Sequence, residues 1–236
     1  MNTTPTPTDG RPPTPVPTPI PVPADAAAVI LCGGVFDPPH RAHTGLPALA
    51  RDAAVPGAWL VFVPASRSPF KSAPLATDAD RLAMLKLSLA PLPRSAIWTD
   101  ELDRARPGEP SYWIETLARA RRALGPGVEL RFLIGADQAL GFHRWREPRR
   151  ILELAEPLVM LRSPAEHANA LADGLRSAHF WSDHEIDRWL DRIVPVPIFE
   201  VSGTAIRARL AAGEREIPEL DPSVLDYIRR GRLYLD

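Results

Sequence analysis

The stretch Cys32-Gly33-Gly34-Val35-Phe36-Asp37-Pro38-Pro39-His40-Arg41-Ala42-His43 decides the predicted fold of this chain. An apolar run at residues 26–31 precedes it and has the length and composition of a buried strand. Gly33 and Gly34 allow a sharp turn and a close approach of the backbone to a ligand. A helix is predicted to start near His40. A strand, a glycine turn and a helix N-terminus in succession predict a phosphate site, because unpaired N–H groups and the helix dipole face the anion.

Two histidines open the predicted helix. His40 and His43 lie three residues apart, so both side chains fall on one side of the first turn. We expect both to face the bound anion. Half of a metal site and ordinary surface positions are the two alternatives that the spacing leaves open. No further Cys/His cluster is placed to complete a zinc site, so no protein-bound metal is expected.

The composition indicates one globular domain and excludes several classes of function. The chain has 236 residues, of which 45% are hydrophobic and 24% charged. A net charge of −1 provides no basic field for nucleic acid, which is not expected as a partner. The one cysteine, Cys32, cannot form a disulfide within the chain and favours a cytoplasmic location. No apolar stretch approaches the ~18 residues of a membrane span, so no membrane association is expected.

The first 24 residues differ from the rest of the chain. Proline recurs through residues 1–24 together with threonine, a composition that favours polyproline II and buries little surface. We expect a disordered tail at 1–24 and one folded domain at 25–236. A ligand for an SH3-type domain is the functional alternative for the tail. The segment lacks the basic start and apolar core of a signal peptide.

Apolar strand-like runs alternate with helical patterns through the rest of the chain. This order predicts an α/β fold, a Rossmann-like doubly wound parallel sheet with helices on both faces. Ligands of such sheets bind beyond the carboxyl ends of the strands. Further strands are predicted at 59–64, 96–99, 129–134, 157–162 and 194–201. Polar or glycine residues that follow the predicted strands are Arg67, Lys71, Gly135, Asp137, Arg162, Ser202 and Thr204.

A second anion-binding pattern lies near the C-terminus, in Val201-Ser202-Gly203-Thr204-Ala205-Ile206-Arg207. Ser202 or Thr204 can cap a helix whose free N–H groups face a phosphate, and Arg207 adds a positive charge one turn later. An ordinary helix cap is the alternative for this string taken alone. Its presence beside the first string favours a phosphate site.

Five motifs in order along the chain resemble those of the bacterial nicotinate-nucleotide adenylyltransferases, in the nucleotidyltransferase superfamily. The first string resembles G-G-x-F-D-P-x-H-x-G-H, with Ala42 in place of glycine. The second resembles I-S-S-T-x-I-R, with Gly203 in place of serine. Residues 108–117 are similar to G-x-x-S-Y-T-x-D-T-L, with Trp113 in place of threonine. Residues 132–145 are similar to I-G-x-D…W, and residues 220–234 to V-P-x-x-V-x-x-Y-I…L-Y.

The resemblance implies transfer of the adenylyl group of ATP to nicotinic acid mononucleotide, which gives deamido-NAD and pyrophosphate. It implies that Mg²⁺ is carried by the ATP phosphates, with few direct protein ligands. The implied catalytic residues are His40, His43 and Arg207. The implied ATP-binding residues are Gly33, Gly34, Phe36, His40, His43, Ser202, Thr204 and Arg207.

The mononucleotide would occupy the other part of the site. The implied residues are Lys71, Trp113, Asp137, Trp145, Arg146 and Arg162. Lys71 and Arg162 are candidates for its phosphate, and Asp137 for orienting a ribose or the mononucleotide. Trp145 would stack on the pyridine ring, and the alternative is a core tryptophan. Arg146 could compensate for the loss of threonine at Trp113.

Three other functions stay open from the sequence. A nucleotide-binding regulator without catalysis would fit the departures at Ala42, Trp113 and Gly203. An adenylyltransferase for nicotinamide mononucleotide would share every phosphate motif. A class I aminoacyl-tRNA synthetase fragment shares the histidine pattern, but the neutral charge and the lack of a tRNA-binding extension disfavour it.

Overall fold

A computed structural model describes residues 16–69 and 73–235 of the chain. Its centre is one six-stranded sheet in which every neighbouring pair is parallel, in the order β3-β2-β1-β4-β5-β6. Lys71 lies outside the described residues, so its predicted role stays a prediction. The strands are β1 (Ala28–Gly34), β2 (Trp59–Pro64), β3 (Ser95–Ile97), β4 (Glu129–Gly135), β5 (Glu156–Met160) and β6 (Ile193–Val194).

Helices cover both faces of the sheet, which confirms the predicted doubly wound fold. No helix within the described ranges is long and apolar enough to cross a membrane. The helices are α1 (Arg41–Ala54), α2 (Asp78–Leu89), α3 (Asp100–Asp103), α4 (Trp113–Leu124), α5 (Ala136–Leu140), α6 (Pro148–Leu154), α7 (Ala168–Ser177), α8 (Asp183–Leu190), α9 (Gly203–Ala211) and α10 (Pro222–Gly231).

Alternate residues of β1 enter two different hydrophobic cores, as the two-residue period of a strand requires. Val29 and Leu31 pack in the core that α4 to α8 cover. Ile30 and Cys32 pack in the opposite core, with α1 and α2. A third core joins α9 and α10 to Met84 of α2. This arrangement leaves the carboxyl ends of β1 and β4 at the centre of one sheet edge.

Two predicted elements were wrong in extent. The strand predicted at 194–201 is only Ile193–Val194, because Pro195 and Pro197 have no N–H to donate to a ladder. The single helix predicted after β4 is broken into α5, a 3₁₀ turn at Phe142–Arg144 and α6. Glu147 has a positive φ of 53° there, and proline starts α6.

Part of the predicted tail packs on the domain. The Thr18 carbonyl accepts a hydrogen bond from the Trp98 indole at 2.8 Å, and the Thr18 hydroxyl donates to Asp103 at 3.0 Å. Ile20 is buried in the larger core and Val22 packs against it. The expectation of disorder is thus wrong for residues 18–22, which we call the strap, because the buried side chain of Ile20 anchors this segment on the domain. Residues 1–15 lie outside the described ranges, so disorder there stays a prediction.

Candidate active site

A cavity of about 880 Å³ opens at the carboxyl ends of β1 and β4. Of the predicted site residues, Lys71 lies outside the described ranges and Asp137 stands behind the lining. All the others line the cavity: Gly33, Gly34, Phe36, His40, His43, Trp113, Trp145, Arg146, Arg162, Ser202, Thr204 and Arg207. The cavity volume is in the range of small-ligand sites.

The two glycines at the end of β1 form the floor of the cavity. A Cβ on Gly33 would lie 2.7 Å from the Trp113 ring, and one on Gly34 would lie 2.9 Å from the Phe36 ring. Real Cβ atoms do not approach so closely, so both aromatic rings depend on glycine beneath them. Phe36 has a positive φ of 53°, which turns the chain from β1 toward α1.

His40 and His43 form one stacked unit at the start of α1. His40 is the N-cap, and its ring centroid lies 3.6 Å from that of His43 with 19° between the planes. The His40 backbone N–H donates to Nδ1 of His43 at 3.3 Å. A neutral imidazole that accepts at Nδ1 carries its proton at Nε2. His43 is thus set as an N–H donor at the positive end of a helix dipole.

Asp37 connects the histidine turn to distant parts of the chain. Its buried carboxylate accepts hydrogen bonds from the Leu75 and Ala76 backbone N–H groups, at 2.8 and 3.2 Å. It also accepts from the Tyr234 hydroxyl at 2.6 Å. Burial and this bond raise the pKa of Tyr234, which stays a neutral donor. The C-terminal residues therefore hold the loop that positions the histidines.

The second predicted anion string faces the first. Ser202 caps α9 by accepting from the Ala205 N–H at 3.1 Å. Arg207 donates to the Asp37 carbonyl at 2.7 Å and to the Thr204 hydroxyl at 3.2 Å. A Cβ on Gly203 would lie 3.3 Å from both the Arg207 guanidinium and that carbonyl. Glycine, where the family motif has serine, therefore lets α9 approach the histidine turn.

We call this part of the cavity the histidine side, formed by His40, His43, Ser202, Thr204 and Arg207. The opposite wall is the tryptophan side, formed by Trp113, Trp145, Arg146 and Arg162. Two helix N-termini and one guanidinium meet on the histidine side. Such a set of donors suits a polyphosphate.

On the tryptophan side, Arg162 forms a bidentate ion pair with Asp137. The guanidinium Nε lies 2.7 Å from Asp137 Oδ1, and Nη2 lies 2.9 Å from Oδ2. A Cβ on Gly135 would lie 2.5 Å from that carboxylate, so the glycine that ends β4 makes room for the pair. Arg162 faces the cavity, and Asp137 orients it from behind.

The tryptophans extend a row of aromatic rings. Trp113 packs on Phe132 and Trp145 on Phe142, with centroids 6.1 and 4.7 Å apart. Both tryptophans are half-buried, with faces left to the cavity. Arg146 is exposed and sits 4.9 Å above the Tyr112 ring.

Several residues of the site carry no clear signal in the sequence. Arg81 is fully buried and donates to the Val35 and Ala65 carbonyls, which fixes the turn after β1. Glu101, on the short helix α3, lines the cavity although it is buried. Neither Arg81 nor Glu101 lies in a motif that would identify it as a site residue. Asp37, by contrast, lies inside the first motif and could have been identified from it. Within the described ranges, no group of three or more His, Cys, Asp or Glu side chains could hold a metal ion.

The model of the cytidylyltransferase-like family matches residues 31–209, which include both anion-binding strings. Fold and site thus define a cytidylyltransferase-like protein. Curated relatives from Stenotrophomonas maltophilia and Chromobacterium violaceum, each named as a probable nicotinate-nucleotide adenylyltransferase, are both 35% identical to it. The alignments cover 87% and 88% of this chain and 96% and 99% of the relatives. The chain belongs to the nicotinate-nucleotide adenylyltransferase family.

Solved structures agree with the fold. The Plasmodium falciparum nicotinic acid mononucleotide adenylyltransferase, complexed with NaAD, aligns with a TM-score of 0.63 at 18% identity. That alignment covers 88% of this chain and 97% of that one. A crystal structure from Vibrio parahaemolyticus, named as that of a putative nicotinate-nucleotide adenylyltransferase, aligns with a TM-score of 0.58 at 14% identity, over 88% of this chain and 94% of that one.

Proposed function

We propose that this protein transfers the adenylyl group of MgATP to nicotinic acid mononucleotide, giving deamido-NAD and pyrophosphate in NAD biosynthesis. The observation that carries the proposal is the meeting of two helix N-termini in one cavity. The Arg207 bond to the Asp37 carbonyl joins them at 2.7 Å. The family of the chain supports the particular reaction. A cytoplasmic location accords with the single, buried cysteine.

The reaction needs no general base from the protein. A phosphate monoester with a second pKa of about 6 is already anionic at pH 7. One of its oxygens attacks the α-phosphorus of ATP, and the bond from that phosphorus to the bridging oxygen breaks. The electron pair leaves with pyrophosphate. Catalysis then consists of in-line positioning and stabilisation of charge.

The histidine side stabilises the charge that develops in this displacement. His43 donates from Nε2 to the phosphates, with His40 stacked against it. Ser202, Thr204 and the α9 N-terminus hold the triphosphate, and Arg207 donates to the leaving group. Gly33, Gly34 and Phe36 supply the surface under the nucleotide. Mg²⁺ would be bound by phosphate oxygens of ATP and by water molecules, which are its preferred ligands.

The tryptophan side receives the mononucleotide. Trp145 stacks on the pyridine ring and Trp113 borders it. Arg162, oriented by Asp137, and Lys71 contact the phosphate. N–H donors on this side suit a carboxylate better than an amide, because an amide turns its own NH₂ toward one of them.

The test measures pyrophosphate release by the purified protein with MgATP and each mononucleotide in turn, with a no-acceptor control. We expect release with nicotinic acid mononucleotide and a dinucleotide product that mass spectrometry identifies. ATP binding without release for either acceptor would instead indicate a nucleotide-binding regulator. Release only with nicotinamide mononucleotide would refute the substrate and keep the adenylyl transfer.

A further inference from the structure

Glu101 is a buried carboxylic acid in the cavity wall that the proposed reaction does not use. It lies on α3 with 3% of its surface exposed, and it lines the cavity together with Ser111, Tyr112 and Trp113. Burial raises the pKa of its carboxyl, and hydrogen bonds to that carboxyl act in the opposite direction. Burial of a carboxyl group costs free energy unless the group is hydrogen-bonded, so the partners of Glu101 decide how it is accommodated.

The hydrogen bonds of Glu101 all lead to the start of α4. Its Oε1 accepts from the Thr116 hydroxyl at 2.5 Å, and the Ser111 hydroxyl also hydrogen-bonds the carboxyl. Ser111 precedes Trp113 by two residues and Thr116 follows it by three. The carboxyl therefore joins both flanks of the turn that carries the Trp113 ring over Gly33.

Arg104 completes this arrangement. It donates to the Thr116 hydroxyl at 2.8 Å and to Glu115 at 3.0 Å, and it lies 4.0 Å from Glu101. The neighbouring buried acid, Asp100, is engaged differently. Its carboxylate is held by Arg119 at 2.6 Å and by Arg104 at 3.2 Å, and it does not line the cavity. Of these two adjacent buried acids, Glu101 is the one directed to the cavity wall.

We propose that Glu101 is a positioning residue, whose carboxyl fixes the Ser111–Trp113 turn so that the tryptophan side is preformed for the mononucleotide. The inference rests on the proposed function for the identity of that substrate. Loss of the carboxyl frees the turn, so binding of the mononucleotide must then order it at an added cost. The histidine side stands on other elements and should keep its affinity for ATP.

The experiment compares KM for each substrate and kcat in Glu101→Ala, Glu101→Gln and wild type. Glu101→Ala should raise KM for nicotinic acid mononucleotide about tenfold, the usual size of a lost buried hydrogen-bond pair, with KM for ATP little changed. Glu101→Gln keeps an acceptor oxygen and should restore most of the affinity. Asp100→Asn, on the same helix and equally buried, is the matched control: its melting temperature should fall without a selective change in either KM.

A second variant keeps the inference testable if Glu101→Ala folds poorly. Thr116→Val is close in shape and removes only the hydroxyl that donates to Glu101, so it should raise KM for the mononucleotide in the same selective way. The inference would be overturned if KM for ATP and KM for the mononucleotide rose equally, or if neither Glu101→Ala nor Thr116→Val changed them. The proposed function would still stand in that case, provided that the wild-type protein turns over. A wild-type protein that neither binds nor uses the mononucleotide would overturn both.

Discussion

The histidine side of the cavity consists of two helix N-termini, each contained in one sequence motif, whereas the tryptophan side consists of long side chains that are held by residues outside that side. His40 and His43 belong to a single helical turn, and the Ser202 cap needs only the next few residues. Arg162 is oriented by a carboxylate 25 residues away, and the Trp113 ring depends on the glycine at the end of β1. The difference predicts that catalysis is sensitive to single residues on the histidine side, and that selectivity is spread over the tryptophan side.

The largest expected effect is on the histidine side. His43→Ala removes an N–H donor where charge develops, so kcat should fall about 10²- to 10³-fold, the usual cost of losing such a donor. KM for ATP should change far less. Steady-state kinetics with the purified variant measure both constants. His184→Ala, which removes an exposed histidine on α8, is the control. An unchanged kcat in His43→Ala would contradict the assigned role.

The next effect concerns the choice of substrate on the tryptophan side. Nicotinic acid mononucleotide should be preferred over the nicotinamide form by about ten- to a hundredfold in kcat/KM, because the amide leaves one buried donor unpaired at a cost of about 1–3 kcal/mol. The measurement is kcat/KM for the two mononucleotides at saturating MgATP. Equal values would show that the donors of this side do not select the ring substituent. The adenylyl transfer would then stand with a broader specificity.

Removal of the strap should affect stability more than chemistry. Deletion of residues 1–24 exposes the site of Ile20 and removes the acceptor of the Trp98 indole. The free energy of unfolding should fall by about 1–3 kcal/mol, which lowers the melting temperature by several degrees in a domain of this size. Deletion of residues 1–15 alone is the control and should leave the melting temperature unchanged. Identical melting temperatures for the two truncations would show that the strap contributes nothing.

The sequence predicts those parts of the site that are local in the chain. The strand, the glycines and the start of α1 follow one another within the first motif, so their geometry follows from backbone rules. The bond from Tyr234 to Asp37 spans 197 residues, and no local pattern marks it. The sequence does not indicate the packing of the strap, because a single isoleucine among prolines forms no periodic apolar pattern. The short β6 could have been foreseen from Pro195 and Pro197, which remove donors from a ladder.

The smallest expected effect is that of Arg146, the exposed cation of the tryptophan side. Its guanidinium already lies 3.4 Å from Glu115 and 3.9 Å from Glu147, in contact with solvent, so its charge is shared and screened. Arg146→Ala should therefore reduce the preference for nicotinic acid mononucleotide only about two- to threefold, in line with an exposed ion pair, and less in high salt. Arg150→Ala removes a similarly exposed arginine, paired with Glu153 outside the cavity, and should change nothing. Complete loss of the preference in Arg146→Ala would mean that one cation carries the selectivity, and the contrast between the two sides of the cavity would fail.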